Sequence, residues 1–112
     1  MPPPQMTAHT LKVLAILLED PAAEWPGFDL MDRTKIKSGT LYPILIRLEK
    51  AGWLKSCLED IDPHRAGRPP RRLYRLTGEG ERLARQELTS HLEALAPAAP
   101  AVRMPLPRER LA

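Results

Sequence analysis

Apolar residues recur along this chain at two spacings, and the changes between them mark out its elements. In AHTLKVLAILLE, Leu11, Leu14, Leu17 and Leu18 follow a helical spacing behind Thr7, an N-cap residue type. The run DPAAEWPG breaks that helix. Pro26 then suits the first position of a short second helix, PGFDLMDRTKI, in which Phe28, Leu30 and Met31 are apolar. A third helix is expected from Ser38 to Ala51. Its Leu41, Leu45 and Leu48 stand at i, i+4 and i+7, a stripe that must be buried. Ser38 or Thr40 could cap its start, and Gly52 stands where a terminating glycine belongs. Two short helices joined by a tight turn make a helix-turn-helix pattern.

Past Gly52 the period drops to two. WLKSCLED alternates Leu54, Ser56 and Leu58 with Trp53, Lys55 and Cys57, and RLYRLT does the same. Between them lies DIDPHRAGRPPR, so two strands joined by a long basic loop are expected. TGEGERLARQELTSHLEALA returns to helical spacing, with Thr77 as N-cap candidate and Ala84, Leu88, Leu92 and Leu95 on one stripe. The expected class is therefore mainly α, as helix, helix, helix, strand, basic loop, strand, helix. Residues 1–76 read as one unit, 77–96 as a separate C-terminal helix, and 97–112 as a proline-rich tail, extended or disordered.

Length and charge narrow the function. A chain of 112 residues is one domain with a thin stability margin, which association would widen. It holds no apolar run long enough for a membrane span and no basic leader before an apolar core, so it reads as cytoplasmic. Cys57 is the single cysteine, which precludes an internal disulfide. From Arg33 to Arg75 there are 11 Lys and Arg against 4 Asp and Glu, a net +7; the remainder has 6 against 10, a net −4. A basic middle between acidic flanks suggests a surface for a polyanion. Catalysis finds no support. His9, His64, His91 and Cys57 lack metal-ligand spacing, there is no phosphate loop, and no nucleophile has a paired base. No cofactor is expected.

The second helix of a helix-turn-helix fits the major groove, its N-terminal residues nearest the bases. With the leucines inward, Ser38, Gly39, Thr40, Tyr42, Pro43, Ile46 and Arg47 face outward. Small residues at the tip permit close approach, and the hydroxyls of Ser38, Thr40 and Tyr42 can reach phosphates or base edges. Pro43 near the start of the helix disturbs few hydrogen bonds, and it would fix Tyr42 at the groove edge with its hydroxyl toward phosphate. Tyr42 is equally consistent with a half-buried aromatic. Ile46 is either a contact for a thymine methyl or, with the face turned by one position, a core residue. In the loop, Arg65, Arg68, Arg71, Arg72 and Arg75 fall within eleven residues beside His64. They suit phosphate or minor-groove contacts, although a solvated charged hairpin has the same composition.

SGTLYPILIRLEKAGWL followed by GRPPRRLYRLTGEGERL resembles the PadR family of bacterial winged-helix transcriptional regulators, over about Thr10 to Leu88. The resemblance implies a double-stranded-DNA-binding homodimer, usually a repressor, acting on an inverted-repeat operator; its own promoter is one candidate location for that operator. It implies recognition-helix contacts from Ser38, Gly39, Thr40 and Tyr42 and wing contacts from arginines. It implies a dimer interface on the last helix, with help from the first: Leu11, Leu14, Ala84, Leu88, Leu92 and Leu95. Many members also sense a small-molecule effector, often a phenolic acid or a drug, near that interface. Lys37 departs from the pattern, standing where the family often has serine; it removes an N-cap hydroxyl and could add a phosphate contact. The last helix carries no aromatic residue, and Trp53 is expected to pack in the core rather than form a ligand platform. An alternative reading is a winged-helix protein-interaction module without DNA, against which the basic stretch argues.

Overall fold

The computed structural model describes residues 4–95; for Leu95 only the backbone is described, and the tail expected at 97–112 lies outside the described residues. The element order is α1 (Ala8–Leu17), β1 (Trp25–Pro26), α2 (Gly27–Thr34), α3 (Ser38–Lys50), β2 (Leu54–Leu58), α4 (Pro63–Ala66), β3 (Arg72–Leu76) and α5 (Gly78–Leu95). Thr7 caps α1, its hydroxyl accepting from the Thr10 backbone N–H at 3.2 Å.

The turn between α2 and α3 rests on Thr34, which is fully buried. Its hydroxyl donates to the Leu30 carbonyl at 2.6 Å and accepts from the Ile36 N–H at 3.2 Å. Lys35 closes α2 in the left-handed region, φ 61°, a conformation uncommon outside glycine and asparagine. The buried Ile36 then pins the turn to the core. Helix α3 buries Leu41, Ile44, Leu45 and Leu48, as the leucine stripe required. Each leucine so enclosed contributes roughly 2 kcal/mol of transfer free energy. The helix ends in a Schellman motif: Gly52 at φ 83°, the Trp53 N–H on the Leu48 carbonyl, and the Gly52 N–H on that of Glu49.

Strands β2 and β3 pair antiparallel from Leu54 opposite Leu76 to Leu58 opposite Arg72. The sheet has a third strand that the sequence did not announce: β1 pairs with the other edge of β3, Trp25 opposite Tyr74 and Pro26 opposite Leu73. Pro26 accordingly serves as strand residue and N-cap of α2, not as its first helical residue. Pro43 also departs from expectation. With α3 starting at Ser38, it lies in the second turn, where it removes the bond that the Gly39 carbonyl would accept; Gly39 is exposed, so that oxygen meets solvent.

Thr77 ties the wing to α5. Its hydroxyl donates to the Gly52 carbonyl at 2.7 Å and accepts from the Gly80 N–H at 2.9 Å, while its own N–H reaches the Trp53 carbonyl at 2.9 Å. Gly80 is required at this joint, because a Cβ there would overlap the Trp53 backbone. Trp53 is buried in the core, as expected, together with Leu14, Leu17, Leu30, Leu54, Tyr74, Leu76 and Ala84. The architecture is a winged helix-turn-helix: α2 and α3 form the helical pair, β2 and β3 the wing, and α5 a C-terminal arm.

Candidate nucleic-acid interface

The buried edge of α3 fixes which of its residues face outward. Lys37, Ser38, Gly39, Thr40, Pro43, Ile46 and Arg47 are exposed. Ile46 is 49% exposed, which settles its orientation away from the core. Lys37 is the N-cap of α3 and supplies no side-chain capping bond, so the helix begins with an uncapped positive end beside an exposed ammonium. Of the two settings the sequence left open for Tyr42, the structure has the half-buried one. Its ring leans across the start of α2: a Cβ on Gly27 would come within 2.5 Å of the Tyr42 hydroxyl oxygen.

Opposite α3, the wing carries a hydrogen-bonded relay. Arg72 donates to the Ser56 hydroxyl at 3.0 Å, and Ser56 donates to Glu49 of α3 at 2.8 Å. The relay aligns the base of the wing with the middle of α3 and leaves most donors of Arg72 facing solvent. The loop is more ordered than its composition suggests. Asp62 caps the single-turn helix α4 by accepting from the His64 N–H at 3.0 Å, and Gly67 ends that turn at φ 70°.

Glu59 organises the rest of the loop. Its carboxylate takes both terminal nitrogens of Arg68 and also the Arg71 backbone N–H, at 2.9 Å. The Arg68 hydrogen bond, reinforced by that of the Arg71 backbone, lowers the Glu59 pKa to about 2. Arg68 was grouped in the sequence with the free cations of the wing; here it is neutralised and shapes the loop instead. The side chains of Arg65 and Arg71 make no ion pair among the described residues and lie exposed. Arg75 is half-buried on the other face of the sheet, near Lys55 and Cys57. The role of Glu59 went unread in the sequence, where the only signal was an acidic residue bordering a basic loop.

The residues assigned to a dimer interface divide. Leu14 and Ala84 are fully buried within the chain's own core and have no surface to offer a partner, which corrects their assignment. Leu11 and Leu88 are half-buried, whereas Leu92 is 67% exposed. The side chain of Leu95 lies outside the described residues. No helix among them is long and apolar enough to cross a membrane, and no three His, Cys, Asp or Glu side chains converge as metal ligands.

A three-helix core, a helix pair with an exposed small-residue tip and a wing with unpaired arginines define a winged-helix nucleic-acid-binding protein. The model of the transcriptional regulator PadR-like family matches residues 29–86, from α2 through the first half of α5, and the chain belongs to that family of DNA-binding regulators. Solved structures agree. A protein described as smu.1704 from Streptococcus mutans UA159 is 26% identical, with 90% of this chain and 92% of that one covered and a TM-score of 0.67. A PadR-like transcription factor from Bacteroides fragilis is 25% identical, with coverages of 84% and 91% and a TM-score of 0.62. A PadR family transcriptional regulator from Eggerthella lenta DSM 2243, at 24% identity, coverages of 83% and 82% and a TM-score of 0.65, shares the fold. No match is found among curated protein sequences.

Proposed function

We propose that this chain is a homodimeric transcriptional repressor that binds an inverted-repeat operator, its own promoter included. In this reading α3 enters the major groove through Ser38, Gly39, Thr40, Pro43, Ile46 and Arg47, with Lys37 and Tyr42 at its flank. Arg65, Arg71 and Arg72 add contacts from the wing, whose shape Arg68 maintains. Two copies would place their recognition helices about 34 Å apart, one helical turn of DNA.

The observation that carries the dimer is Leu92. A leucine 67% exposed on a long amphipathic helix, one turn beyond the half-buried Leu88, is an apolar edge left open by its own chain. Leu11 of α1 and Leu95 extend the proposed contact. Release by a small-molecule effector belongs to the same reading and rests on the family resemblance.

Sedimentation at micromolar concentration, followed by titration of a fluorescent duplex selected from a random pool, tests the proposal. A dimer that prefers the selected duplex to a scrambled one by about a thousandfold matches specific recognition. A monomer, or equal affinity for both duplexes, contradicts it.

A further inference from the structure

Helix α3 turns its buried edge inward at Leu41, Ile44, Leu45 and Leu48. At 3.6 residues per turn, the line directly opposite that edge runs through Gly39, Pro43, Ile46 and Lys50, all of them exposed. Thr40 and Arg47 flank this line on one side. Tyr42 and Glu49 flank it on the other, the side of the wing, where Glu49 accepts from Ser56. The polar side chains thus stand to either side, and from Gly39 to Ile46 the outermost line carries none.

Ile46 is 49% exposed. A helical side chain leans toward the N-terminus of its helix, so Ile46 lies over the turn that holds Pro43, and the two make one small apolar ridge. Two side chains are far too few for a protein interface, which takes roughly 20 residues a side. They do match the dimensions of a base edge. In the major groove guanine presents two acceptors, cytosine a donor and adenine one of each, while thymine presents an acceptor and a C5-methyl group. Only the methyl group suits Pro43 and Ile46. A guanine edge beneath the ridge would lose its water and meet no side-chain donor there, the penalty of an unpaired acceptor.

We infer that Ile46, seated on Pro43, selects thymine at one position of each operator half-site by enclosing its C5-methyl group. This rests on the DNA-binding reading and adds to it the base feature that the centre of the recognition helix discriminates. Thr40 and Arg47 are left to phosphates and neighbouring bases.

The test uses the full chain and the selected operator, with each thymine replaced in turn by deoxyuridine, which pairs as thymine does and lacks only the methyl group. In anisotropy titrations the wild type is expected to bind about fourfold more weakly at one position per half-site, the value of one buried methyl-sized group. Ile46→Ala should bind the unmodified operator at least about fourfold more weakly and be indifferent to uracil at that position. It should melt with the wild type and keep the same salt slope, since an apolar contact displaces no counterions. Ile46→Val, one methylene smaller, should fall between the two. If uracil costs both proteins the same at every position, or if Ile46→Ala binds the unmodified operator like the wild type, the inference is wrong while the DNA-binding reading stands. If the wild type binds no duplex even at low salt, that reading fails and takes the inference with it.

Discussion

The guanidinium of Arg68 holds both carboxylate oxygens of Glu59, at 2.6 and 3.2 Å. One of the basic residues most visible in the sequence is therefore committed within the chain, and the charge the wing offers DNA is smaller than its composition. Arg68→Ala is expected to leave the dependence of log affinity on log salt nearly unchanged. Arg71→Ala should flatten that slope by about 0.9, the value of one phosphate contact. Equal flattening by both would show that Arg68 abandons Glu59 on DNA.

Removing the acid should act in reverse. Glu59→Gln releases Arg68 and is expected to steepen the salt slope by up to about 0.9, with a rise in affinity for any duplex. A shallower slope would mean that the loop collapses without its carboxylate and presents fewer cations.

Acid should loosen the wing late. The carboxyl of Glu59 falls from 4.5 to about 2 on folding, so its contribution is complete above 4.5 and is lost as the pH drops through about 2. A carbon-13 titration of the Glu59 carboxyl is expected to show a midpoint near 2, and amide relaxation in residues 62–71 should quicken over the same range. A midpoint near 4.5 would show that the Arg68 pair does not persist in solution.

Two leucines one helical turn apart on α5, Leu88 and Leu92, separate association from folding when set against Ala84. Leu92→Glu should yield a monomer with an intact fold, since Leu92 is exposed. Ala84→Leu should lower stability by about 2 kcal/mol through overpacking, since Ala84 is enclosed by its own chain. Sedimentation and thermal melts of the two variants read these outcomes separately; a Leu92→Glu dimer would move the interface elsewhere.

Gly27 offers a probe of the groove side. Gly27→Ala drives a methyl group against the Tyr42 ring, a side-chain end that can swing aside. DNA affinity is expected to fall about tenfold while stability changes by less than about 1 kcal/mol, within the usual range for a side chain free to move. A large stability loss with unchanged affinity would make Tyr42 purely structural.

Much of this fold was legible because its helices repeat. Leu41, Leu45 and Leu48 announced the buried face of α3, and Gly52 announced its end. What escaped detection lacked a period. Strand β1 is two residues long, too short to alternate, and exists only through its pairing with Leu73 and Tyr74. The single turn α4 lies inside a loop defined by prolines. Leu14 and Ala84 fell on the correct faces, but a stripe does not say whether its own chain or a second copy covers it. The groove-facing residues of α3 followed from the stripe by exclusion, whereas the Glu59 pairing joins residues nine and twelve positions apart.

The joint at Thr77 bears on how signals would pass through the molecule. Two hydrogen bonds from Thr77 and a backbone contact at Gly80 with no room for a methyl group bind the start of α5 to Gly52 and Trp53, the residues just past the C-cap of α3. There is no slack between these helices. Joined in this way, the long arm and the groove-facing helix form the two limbs of one crank, and in the proposed dimer a tilt applied at Leu92 would arrive at Ser38 as a change of pitch. In the proposed dimer no hinge would be needed, because altering the angle between two arms would reset the spacing of two recognition helices directly.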